Sequence, residues 1–368
     1  MASKAYNGKK VLICLDGCSW DYIKASHMPN LSSLIKNGTF SNCKAVVPTV
    51  TNVNNASILT GELPAIHGIS GNYYFDRSKG LETYMDAPEY LRYETFLAMA
   101  SKMKLRTALL TVKDKLRRLL GKDVTHSFSV EVPSSWAIEK IGRPPSVYSS
   151  EASLWLLDAT IRLIVEDLFD LIYVSTTDYI PHMYGPFSER AREYMERIDE
   201  KIGLLLERGV ALGITSDHGM SEKRIKVDLE KALFERNIKA KVLPIIKDEY
   251  VVHHQNLGGS VYLYLQEPRG ASKTKEVIAN IEGVETVLTA REAQEMFGLP
   301  LDRIGDLFAL GGERTVFGPV PRGLIEDVRL RSHGSLHELS VPLILSKKTR
   351  GGEKLNSNKE AFGLLSYG

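Results

Sequence analysis

Residues 10–16 read KVLICLD, a run of apolar side chains that ends at Asp16. A continuous apolar run of this kind is expected of a strand that is buried on both faces, as in a parallel sheet. Two later stretches also end at an aspartate, at Asp178 and at Asp217. Helix-like segments separate the strand-like runs, which lie at 10–15, 106–112, 168–175 and 210–215. This alternation predicts an α/β fold with a mostly parallel sheet between helices.

The composition is that of an ordinary globular protein. The chain has 368 residues, of which 43% are hydrophobic and 25% charged, and its formal net charge is +2. These values exclude a disordered or collagen-like chain, and they do not indicate a nucleic-acid-binding surface. The aliphatic run at 11–15 is far shorter than the roughly 18 residues of a membrane span, and we recognise no signal peptide. Three clustered cysteines predict a reduced, cytoplasmic compartment rather than a disulfide framework.

The composition of the sequence changes near residue 225, where Gly and Pro become frequent. We interpret 225–328 as an inserted α+β cap, and 1–224 together with 329–368 as the α/β core. Short elements are predicted within the cap, with strands at 251–253 and 260–265 and helices at 273–281 and 290–297.

Aspartates and histidines cluster at the predicted strand ends. The carboxyl ends of parallel strands form the ligand-binding edge of a sheet, so these side chains should converge. Carboxylate and imidazole ligands together suit two divalent ions, zinc first, with manganese or iron also suited. Two such ions can clamp the attacking and leaving groups at phosphorus. A single aspartate after a strand is usually a turn former or helix cap, so the prediction depends on the whole set. Its members are Asp16, Asp178, Asp217, His182, His218 and His333.

A segment rich in hydroxyl and amide groups, 48–61, opens a predicted helix. A threonine hydroxyl at a helix N-terminus lies in a positive field that favours its alkoxide, and metal coordination would lower its pKa further. The alternative is an ordinary threonine N-cap. Asn72 follows in the string HGISGN and could donate to a phosphoryl oxygen, although Gly-Asn is also a common turn.

Together these motifs resemble the alkaline phosphatase superfamily of two-metal phosphohydrolases. The strings TTDYIPH at 176–182, SDHGM at 216–220 and RSHG at 331–334 resemble its branch of nucleotide pyrophosphatases/phosphodiesterases and phosphonoacetate hydrolases. TNVNN at 51–55 and TVKDKLR at 111–117 look closer to the phosphonoacetate hydrolases. The resemblance runs from about residue 10 to 345 and implies an alkaline-phosphatase-like core.

The resemblance also implies roles for individual residues. It makes Thr51 both the nucleophile and a metal ligand, and it lets Asn72 support the phosphoryl oxygens. His333 is preferred over His337 because only His333 lies in a Ser-His-Gly string. The implied ligands of one metal are Asp178, His182 and His333, and those of the other are Asp16, Asp217, His218 and Thr51.

The activity implied is hydrolysis of phosphonoacetate to acetate and phosphate through a phosphothreonine intermediate, with a small-molecule phosphonate as the partner. Breaking the carbon–phosphorus bond sends negative charge into the neighbouring carboxylate, which Lys113 and Lys115 would stabilise. If the chain stays extended beyond its strand, both lysine side chains point the same way. Without the resemblance, the eight Lys/Arg of 102–122 are more typical of a solvated basic face.

Two other functions stay open at this point. One is a phosphodiesterase or nucleotide pyrophosphatase on the same scaffold, and the other is a catalytically silent protein that binds metals or oxyanions. We expect neither a nucleic-acid partner nor a membrane partner, and a homodimer is compatible with the sequence.

Overall fold

The structure is a computed structural model that describes residues 8–248, 250–348 and 355–367. The strands are β1 Lys10–Cys14, β2 Thr39–Lys44, β3 Tyr73–Asp76, β4 Leu81–Tyr84, β5 Thr107–Thr111, β6 His126–Ser129, β7 Leu171–Ser175, β8 Ala211–Thr215, β9 Ser221–Val227, β10 Ala240–Pro244, β11 Ser260–Leu265, β12 Val284–Thr289, β13 Leu307–Gly311, β14 Thr315–Phe317, β15 Ile325–Ser332 and β16 Ser340–Leu345. The helices are α1 Trp20–Ala25, α2 Pro29–Asn37, α3 Thr51–Thr60, α4 Pro64–His67, α5 Phe96–Lys102, α6 Asp114–Leu120, α7 Ser135–Ile141, α8 Ser150–Val165, α9 Tyr179–Met183, α10 Glu189–Leu206, α11 Leu229–Phe234, α12 Val251–His254, α13 Ala271–Ala279, α14 Ala290–Phe297 and α15 Ala361–Tyr367.

A seven-stranded sheet in the order β2-β16-β8-β1-β7-β5-β6 forms the centre of the fold. β1, β5, β6, β7 and β8 pair in parallel, while β16 pairs antiparallel with β8 and with β2. All of β1 is buried, and its side chains alternate between the two faces as a strand requires. Val11 and Ile13 pack with α8 and α10, whereas Leu12 and Cys14 pack with α3 and α15. The predicted α/β fold, a mostly parallel sheet between helices, is confirmed.

Two smaller sheets lie within residues 221–332. One is four-stranded in the order β10-β11-β13-β12, and the other is three-stranded in the order β14-β9-β15. Side chains of the larger one, Tyr262 and Phe308, belong to the same buried cluster as Val53 of α3, so this sheet packs directly on the core. The predicted cap limits at 225 and 328 fall inside β9 and β15, and the core ends at 1–7 and 368 lie outside the described residues. The division into core and cap stays a prediction.

One predicted cap element is wrong, because residues 251–253 belong to helix α12 and not to a strand. The β-branched pair Val251–Val252 favours a strand locally. In the structure both valines are exposed, and the following histidines are buried against polar groups of the core. Gln255, in the left-handed conformation at a φ of 53°, ends the helix after one turn. The tertiary contacts of the histidines therefore override local propensity here.

The order of the strands decides where the functional residues meet. β8, β1, β7 and β5 are consecutive neighbours, and the chain leaves their carboxyl ends at Asp217, Asp16, Asp178 and Lys113 respectively. All four side chains are therefore expected along one edge of the sheet. Among the described residues, no helix combines the length and the apolar character that crossing a membrane requires.

Candidate active site

Buried aspartates and histidines converge at the carboxyl edge of the central sheet. They form three overlapping groups, and within each group the candidate ligand atoms lie within 4.8 Å of one another. The structure thus brings all six predicted Asp and His residues together and adds His253 to them. The groups are Asp16–Asp217–His218, Asp178–His218–His333 and Asp178–His182–His253. These groups differ from the two ligand sets implied by the resemblance, since His333 lies in a group with His218 and His253 lies in a group with His182.

Three of the histidines are held in one orientation by backbone carbonyls. The Nδ1 atoms of His182, His218 and His333 lie 2.7, 2.9 and 2.7 Å from backbone carbonyl oxygens. A carbonyl only accepts, so Nδ1 carries the proton and Nε2 keeps its lone pair. Burial, with His218 and His182 nearby, lowers the pKa of His333 well below its usual range, which favours the neutral ring. The three Nε2 atoms are suitable metal ligands.

The two oxygens of the Asp178 carboxylate face different partners. Oδ2 lies 3.2 Å from His182 Nε2 and 3.8 Å from His333 Nε2. Oδ1 lies 3.0 Å from Lys113 Nζ and 3.4 Å from His253 Nε2. Burial by itself would raise the pKa of Asp178, but Lys113 and His182 hold it well below its usual range. Oδ2 is therefore the oxygen placed to bind a metal, while Oδ1 is fixed by Lys113 and His253.

The positive charge around the Asp16 and Asp217 carboxylates does not balance the negative charge that they carry when ionised. In the described part of the chain, Asp16 Oδ1 accepts no hydrogen bond, and the Nε2 atom of the neutral His218 ring lies 3.4 Å from it. Burial, followed by Asp178 and Asp217, raises the pKa of Asp16 well above its usual range. Burial is also the main cause that raises the pKa of Asp217 to about 6. Such an uncompensated pair of buried carboxylates fits a divalent cation between them.

Thr51 is the first residue of α3 and is only 7% exposed. Its Oγ1 lies 3.4 Å from His218 Nε2. It is not the N-cap, since that position is Val50, so the alternative of an ordinary threonine cap does not hold. Thr49 has a structural partner instead: its Oγ1 donates to Ser335 O at 2.9 Å. Of these two threonines, Thr51 is therefore the one whose hydroxyl faces the metal-ligand cluster.

Lys113 and Lys115 are buried side by side, at 8% and 7% exposure, and not on a solvated face. The reasoning from an extended chain is wrong, because α6 begins at Asp114 and Lys113 is its N-cap. Their Nζ atoms instead share the ring of Tyr250, at 5.3 and 5.1 Å from its centroid. Burial lowers the pKa of Lys115. The pKa of Lys113 is raised, because Asp178, Asp16 and Asp248 together outweigh burial.

Asn72 is buried nearby, but its amide already has a partner. Its Nδ2 donates to Asp248 Oδ2 at 3.2 Å, and the same oxygen pairs with Lys115 Nζ. Its Oδ1 has no hydrogen-bond partner among the described residues. The predicted contact with a phosphoryl oxygen thus depends on N–H capacity that Asp248 shares.

The sequence reasoning missed three buried polar side chains, those of Asp248, His253 and His254. His253 contacts Asp178, whereas His254 Nε2 lies 2.8 Å from Asp248 Oδ1 and does not face the metal ligands. The adjacent histidines were the available signal, and the strand interpretation of 251–253 concealed it. His337, the histidine set aside in favour of His333, is half-buried and paired with Glu285.

Comparisons of the sequence with known proteins point to one family. The profile of the family described as type I phosphodiesterase / nucleotide pyrophosphatase matches residues 10–318. Bis(5'-adenosyl)-triphosphatase ENPP4 of Bos taurus is 28% identical over 237 residues, which are 60% of this chain and 49% of the relative. Ectonucleotide pyrophosphatase/phosphodiesterase family member 1 of Homo sapiens is 26% identical over 257 residues, 62% of this chain and 26% of the relative. The chain thus matches half or less of the length of these curated relatives.

Solved structures include a more similar protein. The crystal structure of phosphonoacetate hydrolase from Sinorhizobium meliloti 1021 in complex with phosphonoacetate has a TM-score of 0.90 and 34% identity. The alignment covers 98% of this chain and 95% of that one. Murine ectonucleotide pyrophosphatase / phosphodiesterase 5 has a TM-score of 0.69 at 18% identity, over 97% and 94% of the two chains, and shows the shared fold alone.

Proposed function

The chain belongs to the type I phosphodiesterase / nucleotide pyrophosphatase family, and from that premise we propose that it hydrolyses the carbon–phosphorus bond of phosphonoacetate to acetate and phosphate. The observation that carries the proposal is the buried pair Lys113 and Lys115, which lies beside Asp178 at the edge of the metal-ligand cluster. A phosphate ester presents no carboxylate there, whereas phosphonoacetate does. The similarity to a phosphonoacetate hydrolase over nearly the whole chain supports the same substrate.

We further propose two zinc ions as cofactors. Neutral imidazole and carboxylate donors suit zinc, and the unsatisfied charge at Asp16 supports a cation there. When bound, the ions would stabilise negative charge at phosphorus and lower the pKa of the nucleophile. The proposed ligands are Asp178, His182 and His333 for one ion, and Asp16, Asp217, His218 and Thr51 for the other.

Thr51 supplies the nucleophile. Its Oγ1 gives up its proton to solvent and bonds to phosphorus, while the carbon–phosphorus bond breaks and its electron pair stays on the methylene carbon. That carbon then takes a proton from water, which yields acetate. A second water hydrolyses the phosphothreonine, releases phosphate and restores the Thr51 hydroxyl. Atoms and charge balance with water as the only co-reactant.

The lysines act on the leaving group. As the bond breaks, negative charge moves from the methylene carbon into the carboxylate. Two ammonium groups at that carboxylate lower the barrier most where the charge is largest, in the transition state. Burial strengthens this effect because water screens the interaction little. The lysines therefore contribute to turnover as well as to binding.

The test is phosphate release from four substrates with two equivalents of zinc: phosphonoacetate, phosphonopyruvate, a nitrophenyl phosphomonoester and a nitrophenyl phosphodiester. We expect the highest kcat/KM with phosphonoacetate. The family description and the curated relatives favour a second function, a phosphodiesterase or nucleotide pyrophosphatase. Preferential turnover of the diester would establish that function and reject ours. No turnover of any of the four with both metals bound would indicate a binding protein.

The remaining proposals concern compartment and assembly. Cys14, Cys18 and Cys43 are free and buried, which supports a reducing compartment, and we propose the cytoplasm. A homodimer stays a prediction that sedimentation of the purified chain would test.

A further inference from the structure

Asp248 is a buried carboxylate that is held in place by neighbouring residues of the predicted cap. Its Oδ1 accepts from the backbone N–H of Tyr250 at 2.9 Å and lies 2.8 Å from His254 Nε2. Its backbone N–H donates to Asn256 Oδ1 at 2.9 Å. The side chain and the main chain of Asp248 are thus both held, so Oδ2 has a defined place.

That second oxygen joins two segments of the core. Oδ2 accepts from Asn72 Nδ2 at 3.2 Å and pairs with Lys115 Nζ. Asn72 precedes β3, and Lys115 lies in the first turn of α6, so Asp248 holds the two side chains at one point. Under the proposed function, Asn72 serves the phosphoryl end of the substrate and Lys115 serves its carboxylate end.

The contacts leave donor capacity for a substrate. An ammonium group has three N–H donors and a side-chain amide has two, and Asp248 takes one from each. The charges also balance: Lys113 faces Asp178 and Lys115 faces Asp248. Once Asp178 serves a metal ion, the pair of lysines has one positive charge in excess of Asp248, which matches one substrate carboxylate.

We propose that Asp248 is a positioning residue that sets the distance between Asn72 and Lys115, and that it thereby selects a phosphonate whose carboxylate is one methylene away from phosphorus. This inference rests on the proposed function and deepens it. Asp248 acts through Asn72 and Lys115 and forms no bond with the substrate itself.

The test compares Asp248→Asn with Asp228→Asn. Asp228 is a second cap carboxylate with purely structural contacts, since it accepts from the backbone N–H groups of Lys231 at 2.9 Å and Val320 at 3.0 Å. We expect Asp248→Asn to raise KM for phosphonoacetate about tenfold, the effect of one weakened charge-assisted contact. The increase in KM caused by Asp248→Asn should be smaller with a nitrophenyl phosphomonoester. Asp228→Asn should leave both KM values unchanged, and thermal unfolding shows whether each variant is folded.

Two further measurements separate positioning from a general structural role. Phosphonoformate and 3-phosphonopropionate differ from phosphonoacetate by one carbon and are used as competitive inhibitors. Asp248→Asn should reduce the differences in affinity of the site for phosphonates of the three lengths. In a double-mutant cycle, Asp248→Asn should cost less kcat/KM in a Lys115→Ala background than in the wild type, because the two residues act as a unit.

The outcomes are distinct. An unchanged KM in a folded Asp248→Asn variant, or additive losses in the cycle, would overturn the inference. A lower KM would also overturn it, because Asp248 would then compete with the substrate carboxylate. Absence of phosphonoacetate turnover by the wild-type chain contradicts the proposed function instead, so the two failures are told apart by the wild-type measurement.

Discussion

Lys113 Nζ lies 3.0 Å from Asp178 Oδ1, so a residue proposed to bind the substrate touches a residue proposed to bind a metal. The other oxygen of the same carboxylate faces His182 at 3.2 Å. A change at Lys113 therefore reaches the metal end of the site, whereas Lys115 pairs with Asp248 and contacts none of the proposed ligands in the ion pairs it forms. Experiments on the two lysines need to measure metal content alongside turnover.

The first prediction concerns the lysines. Lys115→Ala should reduce transition-state stabilisation, as measured from kcat/KM for phosphonoacetate, by about 2 kcal/mol or more. This is the value of a charge-assisted contact in a site that excludes water. Both kcat and KM should change, because the contact strengthens in the transition state. Hydrolysis of a nitrophenyl phosphomonoester should change little, since that substrate has no carboxylate. Lys113→Ala should show the same selective loss, together with a change in metal affinity.

Lys122→Ala is the matched control for the lysines, because it removes an exposed lysine from the same basic stretch. It should match the wild type with both substrates. Equal losses of the two activities in Lys115→Ala would contradict the proposed role and assign the lysine to folding or to the phosphoryl group.

The second prediction concerns the nucleophile. Thr51→Ala should keep its metals and lose nearly all turnover, while Thr51→Ser should retain part of it because a hydroxyl remains. Thr49→Ala should be much milder in turnover, since its Oγ1 bonds to the backbone of Ser335 and not to the site. Mass spectrometry after a rapid quench should detect a phosphorylated peptide containing residue 51 in the wild type. Phosphorylation at residue 49 would show that the assigned nucleophile is wrong.

The third prediction is the metal content. Because the Asp and His donors converge in overlapping groups, elemental analysis should find about two divalent ions per chain. Asp217→Ala and His182→Ala should each lose one ion and nearly all activity. His337→Ala is the control, since that histidine pairs with Glu285 outside the site. Two ions and normal turnover in both ligand variants would reject the assigned sites.

The fourth prediction is a pH dependence of the metal-free chain. Burial raises the pKa of Asp217 to about 6, above the ordinary value of 3.8. The folded state then binds a proton more tightly than the unfolded state, so stability is higher below pH 4 and falls as the pH rises towards 6. Asp217→Asn should remove that part of the slope and stabilise the metal-free chain at neutral pH by on the order of 2 kcal/mol.

Denaturant unfolding of the chelated protein at pH 4 to 7 checks this dependence. Excess zinc should abolish the slope in the wild type, because a bound cation stabilises the ionised carboxylates. A chelated wild-type chain whose stability rises between pH 4 and 6 by the same amount as that of Asp217→Asn would contradict the prediction.

The strands of the core and the residues at their ends could be predicted from the sequence alone. Apolar runs such as 10–15 identify buried strands locally, and a parallel sheet gathers whatever follows those strands at one edge. Asp16, Asp178, Asp217 and His218 could therefore be expected to meet before their distances were known. A helix opened by the segment 48–61 could likewise be predicted, since it depends on neighbouring residues, whereas its start at Thr51 came from the structure.

The positions of Asp248 and helix α12 beside the metal ligands were decided by tertiary structure. Residues 251–254 form one turn of helix with little local preference. Its His253 contacts Asp178, and the preceding Asp248 pairs with Lys115, and both partners lie far away in the sequence. The convergence of Lys113 and Lys115 has the same origin, because the two side chains meet at distant partners, the ring of Tyr250 and the carboxylates of Asp178 and Asp248, and not along an extended chain. Apolar periodicity reports burial along one segment, whereas a buried ion pair between distant segments forms only once the fold has brought both partners out of water.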